Sequence, residues 1–139
     1  MVLAAEAGHF DAPPWLPKAA YESGRAYERL GQFYMALRCY TKALNLTADS
    51  DTIAPHDILR RRGRVKLRIK QFEPALKDLD RSVALAPHRA LTHFNRAHAH
   101  EAMGDLAATV DDLRTYLQLA GPQDPRRREA LARIADLTQ

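Results

Sequence analysis

Cysteine is almost missing from this chain of 139 residues. A single thiol, Cys39, excludes an internal disulfide and every multi-cysteine metal motif, and it agrees with a reducing compartment. Serine is confined to Ser23, Ser50 and Ser82, none in a nucleophile context, and no glycine-rich phosphate loop is present. With no paired acid–base or nucleophile constellation, the chain is expected not to be an enzyme and to need no cofactor. No apolar run approaches the roughly 18 residues of a membrane span. The first residues, Met1 to Phe10, lack a basic start and are interrupted by Glu6, so no secretory signal is expected. A cytoplasmic setting follows as the expectation, for a chain that could be cut from a larger one. Acids are absent between positions 58 and 70, where Arg60, Arg61, Arg62, Arg64, Lys66, Arg68 and Lys70 stand. Subtracting those seven charges from the net +4 leaves −3 for the remainder, so the basicity is a local patch.

What the chain does have is helical periodicity, interrupted at regular points. Ala20, Gly24, Tyr27 and Leu30 fall at helical spacing, Gly31-Gln32 breaks it, and Phe33, Ala36, Leu37, Tyr40, Ala43 and Leu44 continue it. A second pair of helices bends near Lys70-Gln71, with Pro55 near its start, Pro74 in the first turn after the bend and Pro87 closing it. A third pair bends at Met103-Gly104-Asp105 and stops at Gly121-Pro122. Asp124-Pro125 then announces a last helix carrying Leu131, Ile134 and Leu137. Residues 1–16 read as a tail, in which Trp15 is expected to fold back on the first helix as a hydrophobic staple.

The bends align at a fixed interval. Ala75 and Thr109 are 34 residues apart, as are Leu79 and Leu113, and Pro87 and Gly121; Ala36 precedes Ala75 by 39, which places five extra residues in the first loop. Self-similarity at this period with two helices per unit marks a helical solenoid. The residues Gly24-x-x-Tyr27, Gly31, Ala36-x-x-x-Tyr40-x-x-Ala43, then Gly63, Phe72, Ala75-x-x-x-Leu79 and Pro87, resemble the tetratricopeptide repeat. The third unit is more diverged, with Ala97, Gly104 and Thr109-x-x-x-Leu113. Ala20, Leu59 and His93 replace an expected tryptophan, Lys66 and His100 replace the aromatic at Tyr27, and Ala48 stands where a closing proline belongs. The resemblance covers residues 17–123. It implies an all-α, right-handed α-solenoid of three repeats (17–50, 56–89 and 90–123, with 51–55 inserted) and a capping helix over 124–139.

In this family the first helices of successive repeats line a concave groove that binds other proteins. By alignment the resemblance places Tyr21, Arg25, Arg60, Arg61, Arg64, Arg68, Phe94, Asn95, His98 and Arg128 in that groove. Helical geometry alone puts Arg60, Arg61, Arg64 and Arg68 on one arc about 100° wide, and leaves Arg62, Lys66 and Lys70 for ion pairing or solvent. Four arginines on one arc repel each other, so acids on neighbouring helices, Glu22 or Glu101, or an acidic ligand, must neutralise them. The implied function is a non-enzymatic adaptor that grips an acidic segment of a partner protein with guanidinium forks. Some tetratricopeptide domains clamp a chaperone's terminal carboxylate, but the matching residues here (Tyr21, Arg25, Arg61, Leu91 and Asn95) do not reproduce that set, and chaperone-tail binding is not expected. Nucleic-acid binding is the alternative, without aromatic interleaving to support it; self-association as a homodimer is the third. His88, His93, His98 and His100 lack metal-ligand spacing, and no metal is expected; His93 and His100 read as packed histidines, and His98 as the one facing a ligand.

Overall fold

Each bend in the sequence is a bend in the chain. The computed structural model of the protein describes residues 12–47 and 53–139, and among these it forms seven helices and no strand. They are α1 (Leu16–Arg29), α2 (Phe33–Leu46), α3 (Pro55–Arg68), α4 (Phe72–Leu85), α5 (Ala90–Ala102), α6 (Leu106–Leu119) and α7 (Arg126–Leu137). The early tail (1–11) and the centre of the inserted loop (48–52), with Ala48 and Ser50, lie outside the described residues. Among the described residues no helix is long and apolar enough to cross a membrane.

The three bends share one turn. At the first, the amide of Gln32 donates to the Tyr27 carbonyl (2.9 Å) and that of Gly31 to Glu28 (3.0 Å). The same two bonds recur from Gln71 to Lys66 and Lys70 to Leu67, and from Asp105 to His100 and Gly104 to Glu101. This double closure satisfies the last carbonyls of a helix and requires a left-handed residue just past its end. Gly31 (φ 76°) and Gly104 (φ 83°) supply it without cost; at the middle bend Lys70 is held there at φ 64°. The turns return the chain on itself, so α1 packs on α2, α3 on α4 and α5 on α6; each pair then packs on the next through α2–α3, α4–α5 and α6–α7. Contact between α3 and α5 brings the first helices of two pairs onto a common face.

Within the pairs the separation is set by residues without bulk. A β-carbon on Gly24 would stand 2.6 Å from Cε1 of Tyr40, and one on Gly63 would stand 2.9 Å from Cγ of Leu79. Tyr40 and Leu79 are fully buried, as are Ala36, Ala75, Ala97 and Thr109 at the equivalent small positions. Tyr40, Ala36, Ala43, Ile58 and Val65 form the core between the first and second pairs; Phe94, Ala97, Leu113, Tyr116 and Ala130 form the core beneath the last helix.

Three expectations change here. Trp15 is 65% exposed and does not staple α1; Pro17, two residues further in, is the buried residue at that end. Leu30 ends α1 at the bend and stands out in solvent, because the turn directs the residue before Gly31 away from the pair. Leu131 is 56% exposed, and α7 instead buries Ala130 and packs Ile134 against the core, a spacing of four that rotates the apolar face away from Leu131.

Gly24→Ala adds helix propensity of about 1 kcal/mol, but the methyl must displace a buried tyrosine ring, and overpacking of this kind costs about 1–3 kcal/mol. The variant is expected to melt several degrees lower, while Gly121→Ala, whose β-carbon meets nothing within 4 Å, leaves the melt unchanged. Lys70→Gly relieves the left-handed strain and should stabilise by about 0.5–1 kcal/mol in chemical denaturation; a loss of stability would show that the lysine side chain matters more than its backbone.

Candidate binding groove

The cations of α3 divide into two sets. On the side facing α4, Arg62 donates from Nε and Nη2 to the two oxygens of Asp78, both at 2.8 Å, and Lys66 Nζ lies 2.9 Å from the same carboxylate. Arg62 Nη1 also reaches Thr41 Oγ1 at 3.1 Å, tying α3 to α2. These two cations are structural, as expected from their position on the helix.

The other set is also largely neutralised from within. Arg60 is only 7% exposed; its Nη2 donates to Asp57 at 3.0 Å and its Nη1 to Asn95 Oδ1 at 3.4 Å. Tyr21 donates its hydroxyl proton to Asp57 and accepts from Arg61 Nε at 2.6 Å. Arg64 donates from Nε to Glu28 Oε2 at 2.8 Å, and the other oxygen of Glu28 accepts from Tyr40 at 2.7 Å. The counter-ions are thus Asp57 and Glu28, not Glu22 and Glu101. Glu22 pairs with Arg25 on its own helix, and Glu101 pairs with Arg133 of α7. Asp57 was readable: it lies three and four residues before Arg60 and Arg61, on their face of the helix.

These pairs shape the titration of the groove. Burial works to raise the Asp57 carboxyl, but the Tyr21 hydrogen bond and the charges of Arg60 and Arg61 hold it below the usual carboxylate value. Burial and the Glu28 hydrogen bond push Tyr40 well above an ordinary phenol. Burial also depresses Arg60.

What remains open is a hollow of about 420 Å³ between α3, the start of α4, α5 and the start of α7. Leu67, Phe72, Leu91, Phe94 and Ala102 give it apolar walls; Arg64, Arg68 and Arg126 carry positive charge into it; Asn95 and His98 complete it, and among the described residues no acid lines it. Arg68, exposed, stacks its guanidinium over Phe33 at 4.9 Å. His98 lies edge-on to Phe94, with ring centroids 4.7 Å apart. Of the residues expected in a groove, Arg64, Arg68, Phe94, Asn95 and His98 therefore meet at one place. Tyr21, Arg61 and Asp57 form a neighbouring hydrogen-bonded cluster, with Arg60 at its far side. Arg25 is engaged with Glu22. Arg128 is exposed and is not among the residues that line this hollow; Arg126 enters in its stead, because α7 turns Arg126, Ala130 and Ile134 inward at intervals of four.

The histidines read as packed side chains are so. His93 is buried between the Pro87 carbonyl (2.8 Å) and Asp112 (3.4 Å), and His100 lies 3.6 Å from the other oxygen of Asp112. Asp112 thus stands between them, from α6, and Arg96 binds it through two bonds of 2.9 Å.

A sequence profile described as "Tetratricopeptide repeat" matches residues 17–50. The human and mouse mitochondrial import receptor subunit TOM70 are each 24% identical over 107 residues, 77% of this chain and 18% of the relative; the chain spans less than a fifth of their length. Among solved structures, the first repeat domain of Spaghetti (RPAP3), bound to the HSP90 peptide SRMEEVD, superposes with a TM-score of 0.77 at 24% identity over 94% of this chain and 96% of that one. PcrH from Pseudomonas aeruginosa gives 0.78 at 16% identity, over 93% and 96%. At these identities the structural likeness speaks to the fold.

Because the folded Asp57 carboxyl titrates low, its stabilisation is complete above the unfolded carboxylate value and is lost as pH falls through the folded one. Asp57→Asn should cost about 1–2 kcal/mol at pH 7, and the gap to the parent should close as melts are run below about pH 4. A gap that is the same at both ends of that range would remove Asp57 from the role of counter-ion.

Proposed function

We propose that this chain, a tetratricopeptide-repeat protein of three helix pairs and a terminal helix, is a non-catalytic adaptor that binds an acidic, partly apolar segment of another protein in the hollow between α3, α5 and α7. The hollow carries the proposal: its walls are apolar, three guanidiniums reach it, and no acid lines it among the described residues. Such a surface suits a carboxylate-bearing peptide with a bulky apolar side chain, the first gripped by forked hydrogen bonds and the second desolvated against Phe94, Leu67 and Leu91. A similar fold carries an acidic peptide in the RPAP3 domain, and TOM70 is by name a receptor subunit; both favour a protein ligand over a small molecule. The expected cytoplasmic setting stands beside relatives named for mitochondrial import, so the partner is sought on that side of the organelle as well as in the cytosol.

The internal pairing of Arg60, Arg61 and Arg64 narrows the binding charge to Arg68, which pairs with no acid among the described residues, and Arg126, whose one partner there is the neighbouring Asp124, with Arg64 at the wall. It also weakens the nucleic-acid alternative, since a phosphate backbone would meet fewer free cations than the run of seven suggests.

Arg68→Glu with Arg126→Gln is the informative variant, because neither residue holds a buried acid as Arg64 holds Glu28. On a peptide array in which acid and apolar content vary independently, the parent should select peptides rich in both, and the variant should bind these at least about tenfold more weakly. Its melting should stay within about 0.5 kcal/mol of the parent. Equal binding by parent and variant, or tighter binding to a random oligonucleotide than to any peptide, would sink the adaptor reading.

A further inference from the structure

A second hollow, about 300 Å³, adjoins the first and shares Leu91 and Arg126 with it, but its chemistry differs. It lies where α3 and α5 begin, closed on one side by the segment 119–126. Arg60, Arg89 and Arg126 line it together with Asp57 and Asp124, so the lining carries one net positive charge. Arg60 and Arg126 each hold one of the two aspartates; Arg89, exposed, makes no ion pair among the described residues.

The start of α5 opens on this hollow. Its first turn contains no acid, and Arg89 at the cap makes no side-chain capping bond, so the amides there have no anionic partner among the described residues. Thr92, in that first turn, is fully buried, lines the hollow, and leaves its hydroxyl without a hydrogen-bond partner among the described residues. Every other described threonine is engaged: Thr47, Thr109, Thr115 and Thr138 donate to backbone carbonyls and Thr41 accepts from Arg62. Thr92 lacks the usual outlet because the carbonyl four residues back belongs to His88, in the loop before the helix.

We propose that this hollow is a phosphoryl site, taking a phosphorylated serine or threonine side chain of a segment that lies along the adjoining groove. The amides of Ala90 and Leu91, an unpaired hydroxyl and an unengaged arginine are donors without acceptors among the described residues, while the Thr92 amide already donates to the Arg89 carbonyl at 3.3 Å; a tetrahedral dianion offers three oxygens to them where a carboxylate offers two. Arg60 and Arg126 add charge from either side, and Arg126 touches both hollows. The site deepens the adaptor reading and rests on it for the peptide; the phosphoryl contact itself does not depend on the apolar hollow.

The test therefore uses a probe without a peptide. N-acetyl-phosphoserine amide is titrated into the full ¹⁵N-labelled chain at constant ionic strength, beside N-acetyl-serine amide, N-acetyl-aspartate amide and inorganic phosphate. Saturable shifts are expected at the amides of Ala90, Leu91 and Thr92 with the phosphoserine probe, at least about tenfold stronger in affinity than with the aspartate probe and absent with serine. Arg89→Ala should weaken binding about tenfold, and Thr92→Val, which keeps the shape and removes the hydroxyl, should weaken it measurably, both with melts like the parent's. No saturable shift at these amides, or undiminished binding in Arg89→Ala, overturns the site. Inorganic phosphate binding as tightly as the phosphoserine probe overturns the side-chain ligand in favour of the free anion, and tighter binding of a short oligonucleotide overturns the protein source. Acidic-peptide binding at Arg68 and His98 is read separately, so a failed adaptor and a failed phosphoryl site give different results.

Discussion

The close approach of two helices over a glycine is the constraint on which this structure depends. Where Gly24 meets the ring of Tyr40 and Gly63 meets the Leu79 side chain, the first helix of a pair contributes no side chain of its own to the contact. That contact draws the first helices together on one face, as α3 and α5 show. The apolar hollow exists because α3 and α5 converge there while Leu67, Leu91 and Phe94 leave a gap between them. A larger residue at either glycine would move the walls of that gap before it touched any binding residue.

The charge of α3 is best understood as three populations. Arg62 and Lys66 close on Asp78 and serve the interior. Arg60, Arg61 and Arg64 are held by Asp57 and Glu28, which sets their side chains in place at an electrostatic discount to any ligand. Arg68 is left to stack on Phe33 and face outward. Arginines with resident partners orient a surface more than they attract to it; outside the basic run, Arg89 makes no ion pair among the described residues and Arg126 pairs with Asp124 beside it.

The fold was legible because its determinants are local and repeated. A period of 34 residues, three bends with the same closure, and small residues at matched positions all agree with one architecture. The lining of the candidate hollow was legible only in part. Alignment found Arg64, Arg68, Phe94, Asn95 and His98, since positions on a helix face carry over when the helix does. It missed Arg126, because the register of the last helix depends on where the chain enters it, and the Ala130–Ile134 pair outweighs the larger Leu131. It also missed Glu28 as a counter-ion, since a pairing from α1 to α3 is set by packing distance and leaves no trace in spacing. Trp15 was assigned a packing role from its place just before the first helix, and that place does not fix the direction of its side chain.

Asp57, Glu28 and Arg62 connect helices that are not neighbours in a hairpin: Asp57 reaches Tyr21, Glu28 reaches Arg64, and Arg62 reaches Thr41. A repeat array whose units meet only through apolar surface can fray from an end, one unit at a time. Here, peeling off the first pair would strand the Arg64 guanidinium and bare one side of Asp57, so a partly unfolded array is disfavoured beyond the loss of its packing. The first two pairs are thereby held by polar bonds as well as by apolar packing, and neither can leave without exposing charge that the other had covered.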